Sequence, residues 1–453
     1  MVSKHQTLTE GSIWKGMLWF AMPLFLGNVF QQLYNTFDAW CVGNYIGENA
    51  LAAVSSSGSL IFMMVSFFNG VAMGAGVVIA RFFGAKDYEP MRKAIHTAIA
   101  FGLVTGVVLT AVGVAFTPTI LRWMDTPAEV LPESITYFRW YFSGAIFTVM
   151  YNIFTGILHA VGDSKHPLYY LMISATTNVV LDMLFVAVLG FGVGSAAIAT
   201  TISQGLSALL CWIHLMRVNE PYRVSIREIA FDKTSLIDII RYGIPSGVQN
   251  SVIAIANVVV QTNINSFGKA AMAGCGSYSK LEGFVFLPVT CFTQALATFV
   301  GQNLGARRYD RVKRGVAFGI GCCCLIAEVI GVVAYVLGPQ LIGLFTDSAK
   351  AIAFGTAHMR TVCLFYCLLA FSHCIASVLR GAGKATVPMV TMLACWCVIR
   401  VSYITVAVRF VNQLTTVSWA YPITWTLSSI VFLIYFLKAD WMYTFEKTDA
   451  MKG

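Results

Sequence analysis

The chain has 453 residues, of which 57% are hydrophobic and only 11% are charged, and its mean hydropathy is +0.73. These values exclude an ordinary soluble globular domain, in which about a quarter of the residues carry charge. The formal net charge of +9 would suggest a nucleic-acid partner in a soluble protein, but in so apolar a chain it indicates basic loops on the cytoplasmic side of a membrane.

Apolar runs long enough to cross a hydrocarbon core of about 30 Å follow one another along the whole chain. We therefore predict an all-α, polytopic membrane protein with about twelve transmembrane helices in two parallel six-helix bundles, since an even number of helices brings both halves into the membrane in the same sense. The runs lie near residues 14–43, 51–80, 94–118, 132–160, 166–189, 193–216, 236–264, 270–300, 315–337, 351–379, 386–408 and 415–437.

The first predicted helix carries a carboxylate, Asp38, at membrane depth, where an ionisable side chain is costly and is a functional candidate by default. Gln31 and Tyr34 precede it on the same helix face, and with Asn35 they are predicted to line a substrate cavity. The alternative is a carboxylate that points to the outer interface. Earlier in this helix, Pro23 removes a backbone hydrogen bond, which predicts either a hinge or a static bend.

A second carboxylate, Asp182, lies in the fifth predicted helix, one turn after Asn178 and on the same face. Asn152 in the fourth helix and Thr201 in the sixth add polar groups to the same half. With Asp38 they are candidates for a functional site at membrane depth. The alternative for Asp182 is an interhelical hydrogen bond that only holds helices together.

Two acids close together in a medium of low dielectric constant cannot easily both stay ionised, and sharing a proton is the simplest relief. H⁺ is therefore the ion predicted at this pair of acids. Sodium at Asp38 and Asp182 is the alternative, but Na⁺ needs several well-placed oxygens. We expect no other metal and no cofactor, because the 12 cysteines have no metal-ligand spacing.

A polar, basic stretch at residues 217–234 separates a predicted N-lobe, 1–216, from a predicted C-lobe, 235–453, each with six helices. Basic residues concentrate in this stretch and in the loops after the second and eighth helices, whereas the alternate loops hold few. The positive-inside rule then places the linker and both termini in the cytoplasm of a multi-pass protein of the cell membrane.

The C-terminal half offers no carboxylate at the corresponding depth of its first helix, the seventh of the chain. Its polar residues there are Gln249 and Asn250, further candidates for the substrate cavity. Other ionisable residues are isolated, and Lys280 and Glu282 in the eighth helix do not share a face. For Glu328 and Arg400 a structural role is favoured over transport chemistry, and the sequence assigns none of these four a function.

Three landmarks recur in the two halves at a similar offset, which indicates an internal repeat. Residues 83–89 (FGAKDYE) return as 304–310 (LGARRYD), 157–162 (ILHAVG) as 378–383 (VLRGAG), and Pro23 with Asn28 as Pro245 with Asn250. A membrane protein built from two like halves is most often a transporter, because two halves that rock about a central site can open it to either side.

With these motifs the chain resembles the multidrug and toxic compound extrusion (MATE) transporters. The likeness is strongest at residues 300–306 (VGQNLGA), whereas the first copy, 80–85 (ARFFGA), lacks the Gln-Asn pair. Pro23 with Asp38, residues 380–383 and the helix count are also similar, so that the resemblance covers nearly the whole chain. It implies an antiporter that expels organic, often cationic and aromatic, compounds in exchange for H⁺ or Na⁺.

Two branches of this family place the ion site differently. In the DinF-like branch an acid on helix one and an Asn-x-x-x-Asp on helix five form it, and Asp38, Asn178 and Asp182 match that pattern. The resemblance implies that Asn152 and Thr201 join the site. The NorM-like branch has a glutamate on helix seven, where this chain has Ile253, so we predict the DinF-like branch.

The predicted function is secondary active antiport of organic compounds by alternating access of the two lobes. The expected partners are small organic molecules and the lipid bilayer, with no nucleic acid, and we expect a monomer. An enzyme is not expected, since no His-Glu-x-x-His or Gly-x-Ser-x-Gly arrangement occurs. The alternative is a flippase for lipid-linked oligosaccharides of the same superfamily, which would need a strongly cationic cavity to hold pyrophosphate.

Overall fold

The computed structural model describes residues 8–123, 126 and 128–446, and within these ranges every regular element is helical. Two π-helical segments, Met183–Val188 and Leu393–Ile399, interrupt the α-helices, and Ile226–Glu228, Cys363–Phe365 and Trp441–Tyr443 are 3₁₀ turns. The α-helices are α1 (Ile13–Tyr45), α2 (Glu48–Ala85), α3 (Tyr88–Trp123), α4 (Leu131–Ser143), α5 (Ala145–Ala160), α6 (Lys165–Asp182), α7 (Gly194–Arg217), α8 (Lys233–Asn265), α9 (Lys269–Gly305), α10 (Tyr309–Val336), α11 (Gly338–Gly343), α12 (Ala349–Val362), α13 (Tyr366–Gly381), α14 (Thr386–Met392), α15 (Arg400–Phe410) and α16 (Leu414–Lys438).

Eleven helical stretches of the described chain are long and apolar enough to cross a membrane, and the pair α4 and α5 makes a twelfth, bent by 45°. The bend falls at Gly144, where a Cβ atom would lie only 2.6 Å from the Thr201 hydroxyl of α7. The close approach of α7 therefore requires a glycine at the break. The prediction of an all-α protein with about twelve spans is confirmed.

The described residues form two compact units. The N-terminal unit is Met22–Ile244, and the C-terminal unit joins Leu8–Ala21 to residues 245–446. Two helices, α1 and α8, are each divided between the units, and the division falls beside Pro23 in the first and at Pro245 in the second. Each proline lacks the N–H that would bond to the preceding turn, so the helix is weakest where it passes from one unit to the other.

The repeated loop has the same backbone geometry in both units. Lys86 after α2 and Arg307 after α9 adopt the left-handed conformation, with φ of 58° and 54°. In each loop the next residue donates its N–H to a carbonyl in the last turn of the helix: Asp87 to Phe82 at 3.0 Å, and Arg308 to Asn303 at 2.8 Å. The repeat therefore encodes a helix stop that turns the chain into the next span.

The chain segments that precede the divided helices α1 and α8 are each bound by side chains of the helix that follows a repeated loop. This helix is α10 for the segment before α1 and α3 for the segment before α8. In the C-terminal unit, the Arg311 guanidinium donates to the Leu8 and Gly11 carbonyls at 3.1 and 2.7 Å. The Gln-Asn pair of the second copy adds to this anchor, because Gln302 accepts the Leu8 N–H at 3.1 Å and Asn303 donates to the Leu8 carbonyl at 3.2 Å.

The N-terminal unit anchors the linker before α8 in a corresponding way with different side chains. Arg92 forms an ion pair of 2.6 Å with Glu228. The ring of His96 accepts the Ser225 N–H at 3.1 Å, and the Thr97 hydroxyl accepts the Asp232 N–H at 3.0 Å. In the N-terminal unit these contacts come from α3, and the first copy of the loop has no Gln-Asn pair.

Candidate functional site

The N-terminal unit brings together the three acidic and amide residues that the sequence singled out. Asp182 ends α6 immediately before the π-helical turn and is completely buried, and Asn178 lies one turn earlier with 1% exposure. Asp38 is half-buried on α1, close enough to Asp182 for their carboxylates to interact electrostatically. Irregular turns of this kind interrupt the helical hydrogen bonding and are frequent at functional sites.

Four oxygens of this cluster are buried without a hydrogen-bond partner in the part of the chain that the structure describes: Asp38 Oδ1, Asn178 Oδ1 and both carboxylate oxygens of Asp182. The Asn178 amide nitrogen is engaged, since it donates to the Thr200 hydroxyl at 3.5 Å. Buried oxygens that only accept hydrogen bonds are costly unless a proton or a cation satisfies them. The cluster is therefore able to hold H⁺ or a small cation such as Na⁺.

Tyrosines surround the carboxylates, and sequence analysis identified only one of them. Tyr34 forms side-chain hydrogen bonds with Gln31 and Gln204 and interacts electrostatically with Asp38. Tyr137 of α4 lies within electrostatic range of both Asp38 and Asp182, and its neighbour on the same face is Tyr141.

The two α4 residues also stack on each other, with ring centroids 6.4 Å apart. The spacing of one helical turn indicates that Tyr137 and Tyr141 share a helix face, but the sequence could not show that this face lies near Asp38 of α1.

Asn152 and Thr201 have local hydrogen bonds. The Asn152 amide donates to the Thr148 carbonyl at 2.9 Å within α5, and the Thr201 hydroxyl donates to the Trp140 carbonyl of α4 at 3.2 Å. Among the described contacts none joins either residue to a carboxylate of the cluster. Their part in ion coupling stays a prediction.

The residues predicted to line a substrate cavity lie in different environments. On α1, Gln31 and Tyr34 are half-buried and Asn35 is exposed. On α8 of the C-terminal unit, Gln249 is 1% exposed and its amide contacts the Met392 sulfur at 2.8 Å, whereas Asn250 is half-buried. Pro23 lies inside the continuous helix α1, and its role as a hinge stays a prediction.

The C-terminal unit contains a polar cluster whose members the sequence could not connect. The Tyr278 hydroxyl donates to Glu282 at 2.8 Å and lies 3.0 Å from the Tyr366 hydroxyl. Glu282 also interacts electrostatically with Arg400, which is 1% exposed and directly follows the second π-helical segment.

Aromatic and hydroxyl groups enclose the Arg400 guanidinium. It lies 4.6 Å from the centre of the Tyr421 ring and 5.2 Å from that of Trp396, and it donates to the Thr424 hydroxyl at 3.1 Å. Such contacts compensate a buried cation. Lys280 lies over the Phe345 ring at 5.7 Å, and Glu328 accepts the Cys367 N–H at 3.1 Å.

Comparison with known proteins agrees with this architecture. The family profile MatE matches residues 23–184 and 245–406, two stretches that begin on the equivalent prolines Pro23 and Pro245. The probable multidrug resistance protein YoeA of Bacillus subtilis is 29% identical over 86% of both chains, and YpnP of the same organism, also a probable multidrug resistance protein, is 27% identical over 97% of this chain and 98% of its own. The multidrug export protein MepA of Staphylococcus saprophyticus is 22% identical over 98% of both chains.

Solved structures share the fold over almost the whole length. A crystal structure of a MATE protein in the bent conformation superposes with a TM-score of 0.91 and 23% identity, covering 99% of this chain and 100% of its own. An outward-facing structure of a multidrug resistance MATE transporter gives 0.88 over 100% of both chains, at 23% identity. The matched profile spans most of the described helices. The chain therefore belongs to the MATE family, whose members are membrane transporters and not enzymes.

Proposed function

We propose that the protein is a secondary active antiporter that exports organic compounds in exchange for protons by alternating access. The observation that carries the proposal is the set of buried oxygens at Asp38, Asn178 and Asp182 that have no partner among the described residues. A carboxylate that stays charged in such a place has a high free-energy cost. A cation that binds in one conformation and leaves in the other lowers this cost in the first conformation only.

The proton acts by changing the charge of the carboxylate pair. When one proton is shared between Asp38 and Asp182, the repulsion between them falls and the site can remain closed. When the proton leaves, the charged pair favours the state in which water or a cationic substrate reaches it. Substrate and proton need not touch, since each only has to prefer an opposite state.

Sodium is the competing ion, and it needs several well-placed oxygen ligands. A proton needs only the two carboxylates, whose mutual repulsion it relieves when it is shared between them. We therefore propose H⁺ as the coupling ion and place the chain in the DinF-like branch, with Asn152 and Thr201 as polar neighbours of the site.

The proposed substrates are organic cations with aromatic rings. Tyr34, Tyr137 and Tyr141 lie around the carboxylates, and an aromatic ring attracts both a cation and another ring. Gln31, Asn35, Gln249 and Asn250 are proposed to supply further polar contacts in the substrate cavity. The names of YoeA, YpnP and MepA, all multidrug resistance or export proteins, support this class of substrate.

We further propose that the linker, 217–234, and both termini lie in the cytoplasm and that the protein acts as a monomer in the cell membrane. The proposed lobes are 1–216 and 235–453, with Pro23 as the hinge of α1. The basic residues in the repeated loops and in the first turns of the helices that follow them, among them Arg92, Arg308 and Arg311, support this orientation.

The test is efflux of an aromatic cationic dye from proteoliposomes with a proton gradient and a sodium gradient imposed separately. We expect efflux under the proton gradient in sodium-free buffer. Efflux that requires sodium would overturn the ion assignment. Translocation of a lipid-linked pyrophosphate, with no efflux of any dye, would instead favour a flippase.

A further inference from the structure

A second cluster of ligand-type side chains lies in the N-terminal unit, away from the carboxylates described above. It consists of Asp163, His166 and His214, whose potential ligand atoms all lie within 4.8 Å of one another. We propose that these three residues form a binding site for a divalent transition-metal ion of the zinc type.

The Asp163 carboxylate is held in place by the backbone. It lies in the turn between α5 and α6 and is 4% exposed, and its Oδ1 atom accepts the N–H groups of Lys165 and His166, both at 3.2 Å. The first turn of α6 therefore fixes one carboxylate oxygen. The other oxygen, Oδ2, is directed at the two imidazole rings.

The two histidines approach Oδ2 from different helices. His166 Nδ1, in the first turn of α6, lies 2.5 Å from Asp163 Oδ2, and His214 Nε2, in the last turn of α7, lies 3.8 Å from it. The ring centroids of the two histidines are 4.1 Å apart. The side chains of His166 and His214 are 38% and 15% exposed, so an ion has a path from solvent.

Two imidazoles and one carboxylate are a donor set that zinc and its neighbours prefer. With metal–ligand bonds of about 2.0–2.2 Å, ligand atoms at two corners of a tetrahedron lie about 3.4 Å apart. The observed separations of 2.5 and 3.8 Å lie on either side of that value. A metal ion that replaced the proton between Asp163 and His166 would move these two apart by less than an ångström and draw His214 inward, leaving the fourth position to water.

The site is distinct from the coupling cluster. His166 and Asp182 lie at opposite ends of α6, and sixteen residues of helix span about 24 Å. A bound ion would join the first turn of α6 to the last turn of α7, on the side of the membrane that the basic residues predict to be cytoplasmic. The plain alternative is an Asp–His hydrogen bond that only caps α6, and it predicts no metal affinity.

The experiment is a cobalt titration of the full-length protein in detergent, with any polyhistidine tag removed and bound metals stripped by a chelator. We expect wild type to bind one equivalent of Co²⁺ with the visible absorption bands of a four- or five-coordinate site, and zinc to displace it. The His166→Gln/His214→Gln double variant should lose these bands. His96→Gln, which changes a histidine of the same unit outside the cluster, should keep them.

Asp163→Asn separates metal binding from folding. Its amide oxygen can still cap α6, whereas its NH₂ group is not a ligand, so we expect a monodisperse protein with cobalt affinity at least tenfold weaker. In wild type, but not in this variant, zinc should raise the melting temperature. Wild type that binds no more cobalt than the double variant, or an Asp163→Asn protein with unchanged affinity and the same zinc-dependent melting shift, would overturn the proposal.

Discussion

Replacement of Asp182 by asparagine is the most direct test of the proposed coupling site. Both carboxylate oxygens of Asp182 are completely buried and have no hydrogen-bond partner among the described residues. Asparagine has nearly the same shape but carries no exchangeable proton. The Asp182→Asn protein should therefore insert and fold normally and fail to respond to a proton gradient.

The size of both effects follows from this environment. A buried polar group without a partner costs about 1–3 kcal/mol, and asparagine exchanges one such group for another, so the loss of stability should be no larger than that range. For transport, a pH difference of one unit supplies about 1.4 kcal/mol per proton. This free energy equals that of a tenfold difference in substrate concentration when one proton is exchanged for one substrate. We expect the ratio of dye concentrations across the membrane to approach ten for wild type and to remain near one for Asp182→Asn.

The assay is dye efflux from proteoliposomes in sodium-free buffer with a pH difference of one unit. Asp347→Asn is the matched control, because it makes the same chemical change in an exposed loop residue and should transport like wild type. Equal protein insertion is checked by quantifying reconstituted protein for each variant. An Asp182→Asn protein that still sustains a tenfold gradient would refute the reasoning.

Three further predictions concern other parts of the molecule. Asp38→Asn should also insert normally and lose proton-driven efflux in the same assay, and full transport by a normally expressed variant would contradict the shared-proton site. A cysteine at Ile226, which is 65% exposed in the linker, should react in intact cells only with membrane-permeant reagents in a background without reactive cysteines; labelling by an impermeant reagent would reverse the proposed topology. Arg400→Ala should lower the free energy of unfolding by about 1–3 kcal/mol, because it removes a buried side chain that donates to the Thr424 hydroxyl and lies over the Tyr421 ring; an unchanged melting temperature in detergent would show that these interactions are weak.

The helices and the repeat were accessible from sequence because both depend on local patterns. Long apolar runs identify membrane spans regardless of what they contact, and the repeated loop encodes a helix stop within a few residues. The division of α1 and α8 between two units was not accessible, since Pro23 and Pro245 signal a weak point in a helix but not which neighbours each half contacts.

The candidate site was predicted in part, for a related reason. Asp38 and Asp182 stood out because ionisable residues at membrane depth are rare. Tyr137 and Tyr141 did not, because tyrosines are common in membrane helices and only the fold shows that Tyr137 lies close to both acids. The electrostatic interaction between Glu282 and Arg400 was missed because they are far apart in sequence and approach each other only through the packing of their unit.

The contrast between the two units bears on where coupling takes place. In the C-terminal unit the protein itself supplies partners for the half-buried Glu282 and the buried Arg400: Glu282 accepts from Tyr278, and Arg400 donates to Thr424 and lies against aromatic rings. The free energy of a charge compensated in this way changes little when an ion binds or leaves. The Asp182 oxygens lack such partners among the described residues, so an exchangeable cation changes their free energy most. This difference supports coupling through the N-terminal unit, although both units carry the same repeated landmarks.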